Sequence, residues 1–386
     1  MRAFGFNIKV NANKEGDLLR IRFVLCALAT FLSATPAAAD YKSEYKLYRD
    51  AFEAGDLAGA LEHSGAAWKL AEAEIGDHEK TAILAFNYAN LVYDFDIAKA
   101  HEAYKRALSL TEAGIGALPV EDLRLAVSVS ALALDVRDKD LANAAKPVLK
   151  ARQASGAGNS FMDAEGWKQL AMYDLSARQY KDAKTSSDLA RSIAEKLAPK
   201  PERLIAETLS ISGVALVIGA NSRTSARITE AIELLDRAIV MFPPQKDIDS
   251  VHPLFAQAML WRLSIEALAS SENRKGALKR VDKELDADAM SRWEQSRPAD
   301  CELKWKKRLP PRFPAVALEK NQIAAVLVGY DLNETGVERT VLIAALNGET
   351  FSKPAIESMA DWELEAPVRE ACRKNHITVF KFVIGY

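Results

Sequence analysis

The side chains of this 386-residue chain that could do chemistry are few and scattered. Its histidines are His63, His78, His101, His252 and His376, and none has a partner at the spacing of a metal site. There is no glycine loop to cradle a phosphate, no nucleophile elbow and no Cys-x-x-Cys pair. No catalytic residue, metal or cofactor is therefore expected. What remains is main-chain chemistry. The terminal run "HITVFKFVIGY", rich in β-branched and aromatic residues, reads as a strand. A strand at a sheet edge carries a row of N–H and C=O groups that a peptide can satisfy.

The composition is that of an ordinary globular protein long enough for two or more folded units. A formal charge of −2 offers no attraction to nucleic acid or to an anionic membrane. The first residues read as a targeting segment. Arg20 and Arg22 precede the apolar run Phe23 to Leu32, and Ala37-Ala38-Ala39 supplies the small residues of a signal-peptidase site. Phe23 to Ala39 contains Pro36 and falls short of the ~20 apolar residues that span a bilayer. Cleavage would leave Asp40 first, with 46 basic against 51 acidic residues. If retained, the same segment would be a membrane anchor. Cys26 leaves with it, so Cys301 and Cys372 are the two cysteines of the mature chain.

From Tyr41 to about Ala287, helix-period apolar runs alternate with breaks at intervals of roughly 40 residues, the mark of stacked helical hairpins that cannot bury their faces singly. "DLAGALEHSGAAWKLA" aligns with "DIAKAHEAYKRALSLT", placing Ala60 over Ala100, Ala67 over Ala107 and Leu70 over Leu110. The same positions are read at Ala144 and Ala151, Ala183 and Ala190, and Ala231 and Ala238, with a sixth unit at Ala277. This pattern resembles the tetratricopeptide repeat, with a longer and drifting period. The resemblance implies a scaffold for a protein or peptide ligand. Trp68, Trp167 and Trp261 are expected in the helix packing, and the charged run around Lys279 to Glu284 on a solvated face.

Residues 291–309 read as an extended connector, since Pro298, Pro310, Pro311 and Pro314 forbid a continuing helix. Beyond it Ala325 to Leu332 alternates, with Val326, Val328, Tyr330 and Leu332 on one face. After Asn333 to Gly336, Val337 to Ala345 alternates again, and Val341 and Ile343 are expected on the same core. Gly336 is expected to supply a positive φ in the turn. Ser352 is expected to cap a helix, with Phe351 and Ile356 as a hydrophobic staple and Ala355, Met359 and Trp362 as its apolar stripe. The fold class is thus an all-α helical hairpin array over 40–290, followed at 310–386 by a small α+β domain, a helix on an antiparallel sheet.

In order and spacing these last residues resemble the TonB C-terminal domain family, periplasmic proteins that carry inner-membrane energy to outer-membrane transporters. Pro311-Arg312-Phe313-Pro314 matches the opening Pro-x-aromatic-Pro element, and Tyr330-Asp331-Leu332 the aromatic-Asp-aliphatic triplet. Gly336 matches the turn glycine, Phe351 and Trp362 the aromatic residues at the two ends of the helix, and Pro367 the proline after it, displaced by one residue. Ala324 stands where the family commonly has glycine. The usual membrane helix and proline-rich spacer are replaced by the targeting segment and the array.

The resemblance implies strand addition along the last strand, here Ile377, Thr378, Val379, Phe380, Lys381, Phe382 and Val383. Side chains would tune specificity at alternate positions, Thr378, Phe380 and Phe382 or else Ile377, Val379 and Lys381. The resemblance also places Arg312 near the bound peptide. The implied partner is the periplasmic segment of a TonB-dependent outer-membrane transporter. A periplasmic adaptor is the leading expectation. An energy transducer working with inner-membrane motor proteins follows only if the anchor is retained, and an envelope-assembly scaffold is the third reading. In an oxidising compartment Cys301 and Cys372 would form a disulfide, closing a loop of about 70 residues worth about 4 kcal/mol in chain entropy; two separate thiols are the alternative. Sequencing the N-terminus of the mature protein is expected to begin at Asp40. A start upstream of Phe23 would establish the anchored form.

Overall fold

Aspartate side chains open several of the helices. The computed structural model describes residues 40–219, 225–242, 247–268, 301–319, 324–346 and 349–382, and these begin with α1 (Tyr41–Glu53), α2 (Leu57–Glu74), α3 (Glu79–Val92), α4 (Ile97–Glu112), α5 (Val120–Leu134) and α6 (Lys139–Ala154). Asp40, Asp56 and Asp96 each accept an N–H from three residues further on, at 2.7, 3.0 and 3.0 Å. That satisfies a donor the first turn would leave unpaired. Short turns then fold successive helices back on each other from α1 through α5. The aligned alanines lie in these contacts: Ala60, Ala67, Ala100 and Ala107 are fully buried.

The third unit departs from the expected register. Ala144 and Ala151 are exposed, and Ala142, Ala145 and Leu149 are the buried residues of α6. The cause is the cap. Asp138 Oδ1, not Asp140, accepts the first free N–H groups, from Asp140 at 2.7 Å and Leu141 at 3.1 Å. Ala142 then stands four residues after its cap, as Ala60 and Ala100 do after Asp56 and Asp96.

The chain divides into two compact units, one ending at Ala151 and the other starting at Arg152. The second holds α7 (Phe161–Ser176), α8 (Tyr180–Ala194), α9 (Glu202–Gly219), α10 (Ser225–Met241) and α11 (Pro253–Leu268) together with the terminal residues. Ala183, Ala190, Ala231 and Ala238 are fully buried, as are, to within 5%, Trp167 and Trp261. Trp68, in the first unit, is part-buried and donates to Glu72 at 3.1 Å. Residues 1–39, Ala277 and most of the 291–309 connector lie outside the described residues.

The terminal residues form β1 (Trp305–Lys307), α12 (Ala315–Glu319), β2 (Ala324–Leu332), β3 (Val337–Ala345), α13 (Glu349–Met359), β4 (Glu363–Leu364), a 3-10 turn (Glu370–Cys372) and β5 (His376–Phe382). An antiparallel sheet runs in the order β3-β2-β5, and β1 pairs with β4. Val326, Val328, Tyr330 and Leu332 meet Phe351, Ala355, Met359 and Trp362 in one core. The opposite face is covered too, so all nine residues of β2 are buried. There α11 and the loop before it lie on the sheet. Gly329 makes room for the loop: a Cβ on it would stand 2.7 Å from Ile248 Cβ.

Three local expectations are corrected. Val341 pairs with Gly329 on this second face, and Ile343 lies beside it, so neither joins the core under α13; register shifts in the β2–β3 pair leave Val337 and Ala345 there instead. Gly336 is not among the residues of positive φ. It is required because a Cβ would overlap the carbonyl oxygen of Trp362, whose chain bridges to it. Helix α13 begins at Glu349, so Ser352 is a buried interior residue and Phe351 sits in the first turn, fully buried in the core.

A buried ionic network ties α7 and α9 to the segment that leads into α11. Lys168 Nζ on α7 lies 2.6 Å from Glu165 Oε1 and 2.8 Å from Glu207 Oε2 on α9. Arg203 Nε and His252 Nε2, the latter just before α11, stand 3.0 and 3.2 Å from Glu207 Oε1. Burial alone would raise the Glu207 carboxyl, but the Lys168 ammonium and the His252 hydrogen bond hold it well below its ordinary 4.5. Its contribution is present above about pH 4.5 and is lost as the pH falls. Lys168→Met removes the buried cation that Glu165 and Glu207 share, leaving Glu207 only Arg203 and His252, and is expected to cost about 3–5 kcal/mol in urea unfolding at pH 7. An unchanged midpoint would show that the carboxylates do not depend on it.

Candidate peptide-binding edge

Strand β5 is positioned by what holds its first residue. Asp331, near the end of β2, accepts the Asn375 N–H at 2.9 Å with Oδ1 and Arg339 Nε at 3.0 Å with Oδ2; Lys374 Nζ lies 3.6 Å away. Asn375 adopts φ 60, a left-handed conformation that asparagine tolerates. The Leu332 N–H donates to the Arg373 carbonyl at 2.7 Å, closing the end of the β2–β5 ladder. Cys372, just upstream, is disulfide-bonded to Cys301, with Cα atoms 5.6 Å apart. His376 is fully buried, stacks on Tyr330 at 5.0 Å and donates from Nε2 to the Cys372 carbonyl at 2.7 Å. A carbonyl only accepts, so the proton is on Nε2.

The ladder shows which groups of β5 face outward. The Leu346 N–H donates to the Ala325 carbonyl, so odd-numbered residues of β2 turn their main chain toward β3 and even-numbered ones toward β5. In the β2–β5 register Val326 opposes Phe380 and Val328 opposes Thr378. The main chains of His376, Thr378, Phe380 and Phe382 therefore bond to β2. Those of Ile377, Val379 and Lys381 point away from β2. Among the described residues no strand pairs with β5 on that side.

Side chains divide the other way. Phe380 and Phe382 enter the core under α13, where Phe382 meets Phe351 at 5.0 Å and Phe313 at 5.8 Å. Thr378 lies in this row between His376 and Phe380. Ile377, Val379 and Lys381 occupy the α11 side, with Ile377 buried, Val379 half-buried and Lys381 exposed. Val383 lies outside the described residues. Of the other residues singled out in the sequence, Pro314 begins α12 by accepting from Ala317 and Leu318 at 3.0 Å, and Arg312 is exposed beside the packed Phe313. Trp362 donates from Nε1 to the Leu309 carbonyl at 3.1 Å.

Sequence reasoning missed Arg308. Its guanidinium lies 4.5 Å from the Trp362 ring centroid and donates to Thr378 Oγ1 at 3.1 Å, tying the connector to β5. The cation within "KWKKRLPP" is visible in the sequence, but its aromatic partner is about fifty residues away.

Fold and edge together define a helical array carrying a small α+β domain with a strand available at its margin. No family model and no curated protein matches the chain. Among the described residues no helix is long and apolar enough to cross a membrane, and no cluster of histidine, cysteine and acidic residues could hold a metal ion.

Burial would raise the Asp331 carboxyl, but the Asn375 N–H, the Arg339 guanidinium and the Lys374 ammonium hold it below its ordinary 3.8. A lowered folded value stabilises above about pH 3.8 and ceases to do so as the pH falls through the folded value. Asp331→Asn is expected to lose about 1–3 kcal/mol at pH 7. The gap to the unsubstituted protein should narrow below about pH 3.8 in thermal melts taken across pH; a constant gap would assign the loss to packing.

Proposed function

We propose that this chain is an exported, noncatalytic binding protein in which β5 takes up an extended peptide as a fourth strand of the β3-β2-β5 sheet. The observation that carries the reading is the outward main chain of Ile377 and Val379 at the sheet margin. Main-chain bonds supply the attraction, and because Phe380 and Phe382 are committed to the core and Ile377 is buried on the α11 side, selectivity falls to half-buried Val379 and to exposed Lys381 and Arg312.

The order of the Phe313-Pro314, Tyr330-Asp331, Gly336, Phe351 and Trp362 elements supports a TonB C-terminal-like domain. The peptide is then the periplasmic N-terminal segment of a TonB-dependent outer-membrane transporter. The repeating alanine contacts of the helices support a tetratricopeptide-like array that gathers a further protein or peptide. Mounting of the sheet on α11 favours an adaptor over an energy transducer, since the domain is seated on helices and not at the tip of a free spacer.

Titration of the full mature chain with transporter N-terminal peptides from the same genome tests this. One peptide should bind saturably. N-methylation of one alternating set of its amides should weaken binding at least tenfold, since each lost main-chain bond is worth about 0.5–1.5 kcal/mol, and methylation of the other set should change it little. Equal tolerance of both sets, or no saturable binding, would overturn the reading.

A further inference from the structure

We propose that the turn edge of the N-terminal helical unit docks a cationic amphipathic helix of a protein partner. The surface lies in the unit ending at Ala151 and is independent of β5. Because successive helices are antiparallel, α1, α3 and α5 bring their C-terminal ends to one edge. Four large apolar side chains are exposed there: Phe52 in the last turn of α1 (52%), Leu57 opening α2 (56%), Phe95 in the α3–α4 turn (68%) and Leu134 ending α5 (48%). Single exposed apolar residues are ordinary, but a row renewed at each hairpin on one edge marks an interaction surface.

Capping does not account for the row. Phe95 precedes the Asp96 cap, where a hydrophobic staple would pack on the fourth helical residue. That residue is Ala100, itself fully buried, and Phe95 remains the most exposed of the four. Phe52 is held from behind by Tyr48, with ring centroids 6.0 Å apart, so it is presented and not merely loose.

Charge identifies the occupant. Residues 49–57, 93–99 and 134–140 carry eight acidic side chains against four basic, a net charge of −4 around the row. An anionic lipid surface is repelled by this rim, and a second copy of the chain would bring the same sign. A cationic partner with an apolar stripe satisfies both features. A helix fits the spacing: successive hairpins are two packed helices apart, roughly 16–20 Å at ~8–10 Å per packed pair, and residues eleven to fourteen apart on one helix face are about 16–21 Å apart along its axis.

The test uses the full mature chain and an 18-residue amphipathic Leu/Lys peptide, with its Leu/Glu counterpart as the charge control. The Leu/Lys peptide is expected to bind saturably. Binding should fall at least about tenfold in the double variant Phe95→Ser, Leu57→Ser, and again on raising salt from about 0.15 M to 1 M. Leu47→Ser, on an exposed leucine of α1 away from the turns, should leave it unchanged. Leu134→Ser serves as a second, single-site variant, and circular dichroism melts verify folding. No saturable binding, equal binding of the Leu/Glu peptide or full binding by the folded variants would overturn the proposal. So would self-association or vesicle binding that these substitutions abolish, which would give the row to a second copy or to lipid.

Discussion

The buried carboxylate of Asp331 is the point on which the terminal domain depends. One oxygen holds the Asn375 N–H that starts β5, and the other holds Arg339 on β3. Arg339 reaches on to Asp249, 2.8 Å away, while the Asn375 side chain accepts the Ile248 N–H at 3.3 Å. A single anion thus registers both outer strands of the sheet against β2 and joins them to the loop that leads into α11. Such a group is costly to bury alone and tolerable only with its donors in place. The geometry of the β5 edge is therefore tied to the helices behind it.

The second face of the sheet explains why the terminal domain was only half legible in the sequence. Alternation of Val326, Val328, Tyr330 and Leu332 marks a core-facing row, and that row is found in the core. The intervening Ala325, Leu327 and Gly329 are equally buried, because a loop some eighty residues upstream lies on them. No local period encodes a partner at that distance. Register shifts in the β2–β3 pair, which no local period announces either, turn Val341 and Ile343 to this second face. Gly336 is comparable: its need for glycine was legible, but its cause is the approach of Trp362 and not its own φ.

In the helices the opposite holds, and the readable signal is local. Apolar period and small residues locate each hairpin, and in the first three Asp56, Asp96 and Asp138 fix where the second helix begins. The misplaced third unit shows the limit of matching by similarity: "DLANA" resembles "DLAGA", yet the cap is Asp138, two residues before the matched aspartate. Counting from the side chain that satisfies the first free N–H groups recovers the register that residue matching lost.

At Ile377 and Val379 the margin of β5 combines a fixed strand with main-chain groups turned away from β2. Its aromatic residues are committed to the core, its start is held by Asp331, and the segment before the sheet is tied down at Cys301 and at Arg308. A strand so constrained loses little conformational entropy when a peptide pairs with it, so the cost of ordering falls on the incoming chain. Unmanaged edges invite indiscriminate pairing, and proteins that keep them protect them with charge or brevity. Here exposed Lys381 near the end of β5 is such a charge, and on the proposed reading it restricts the register in which a peptide strand adds.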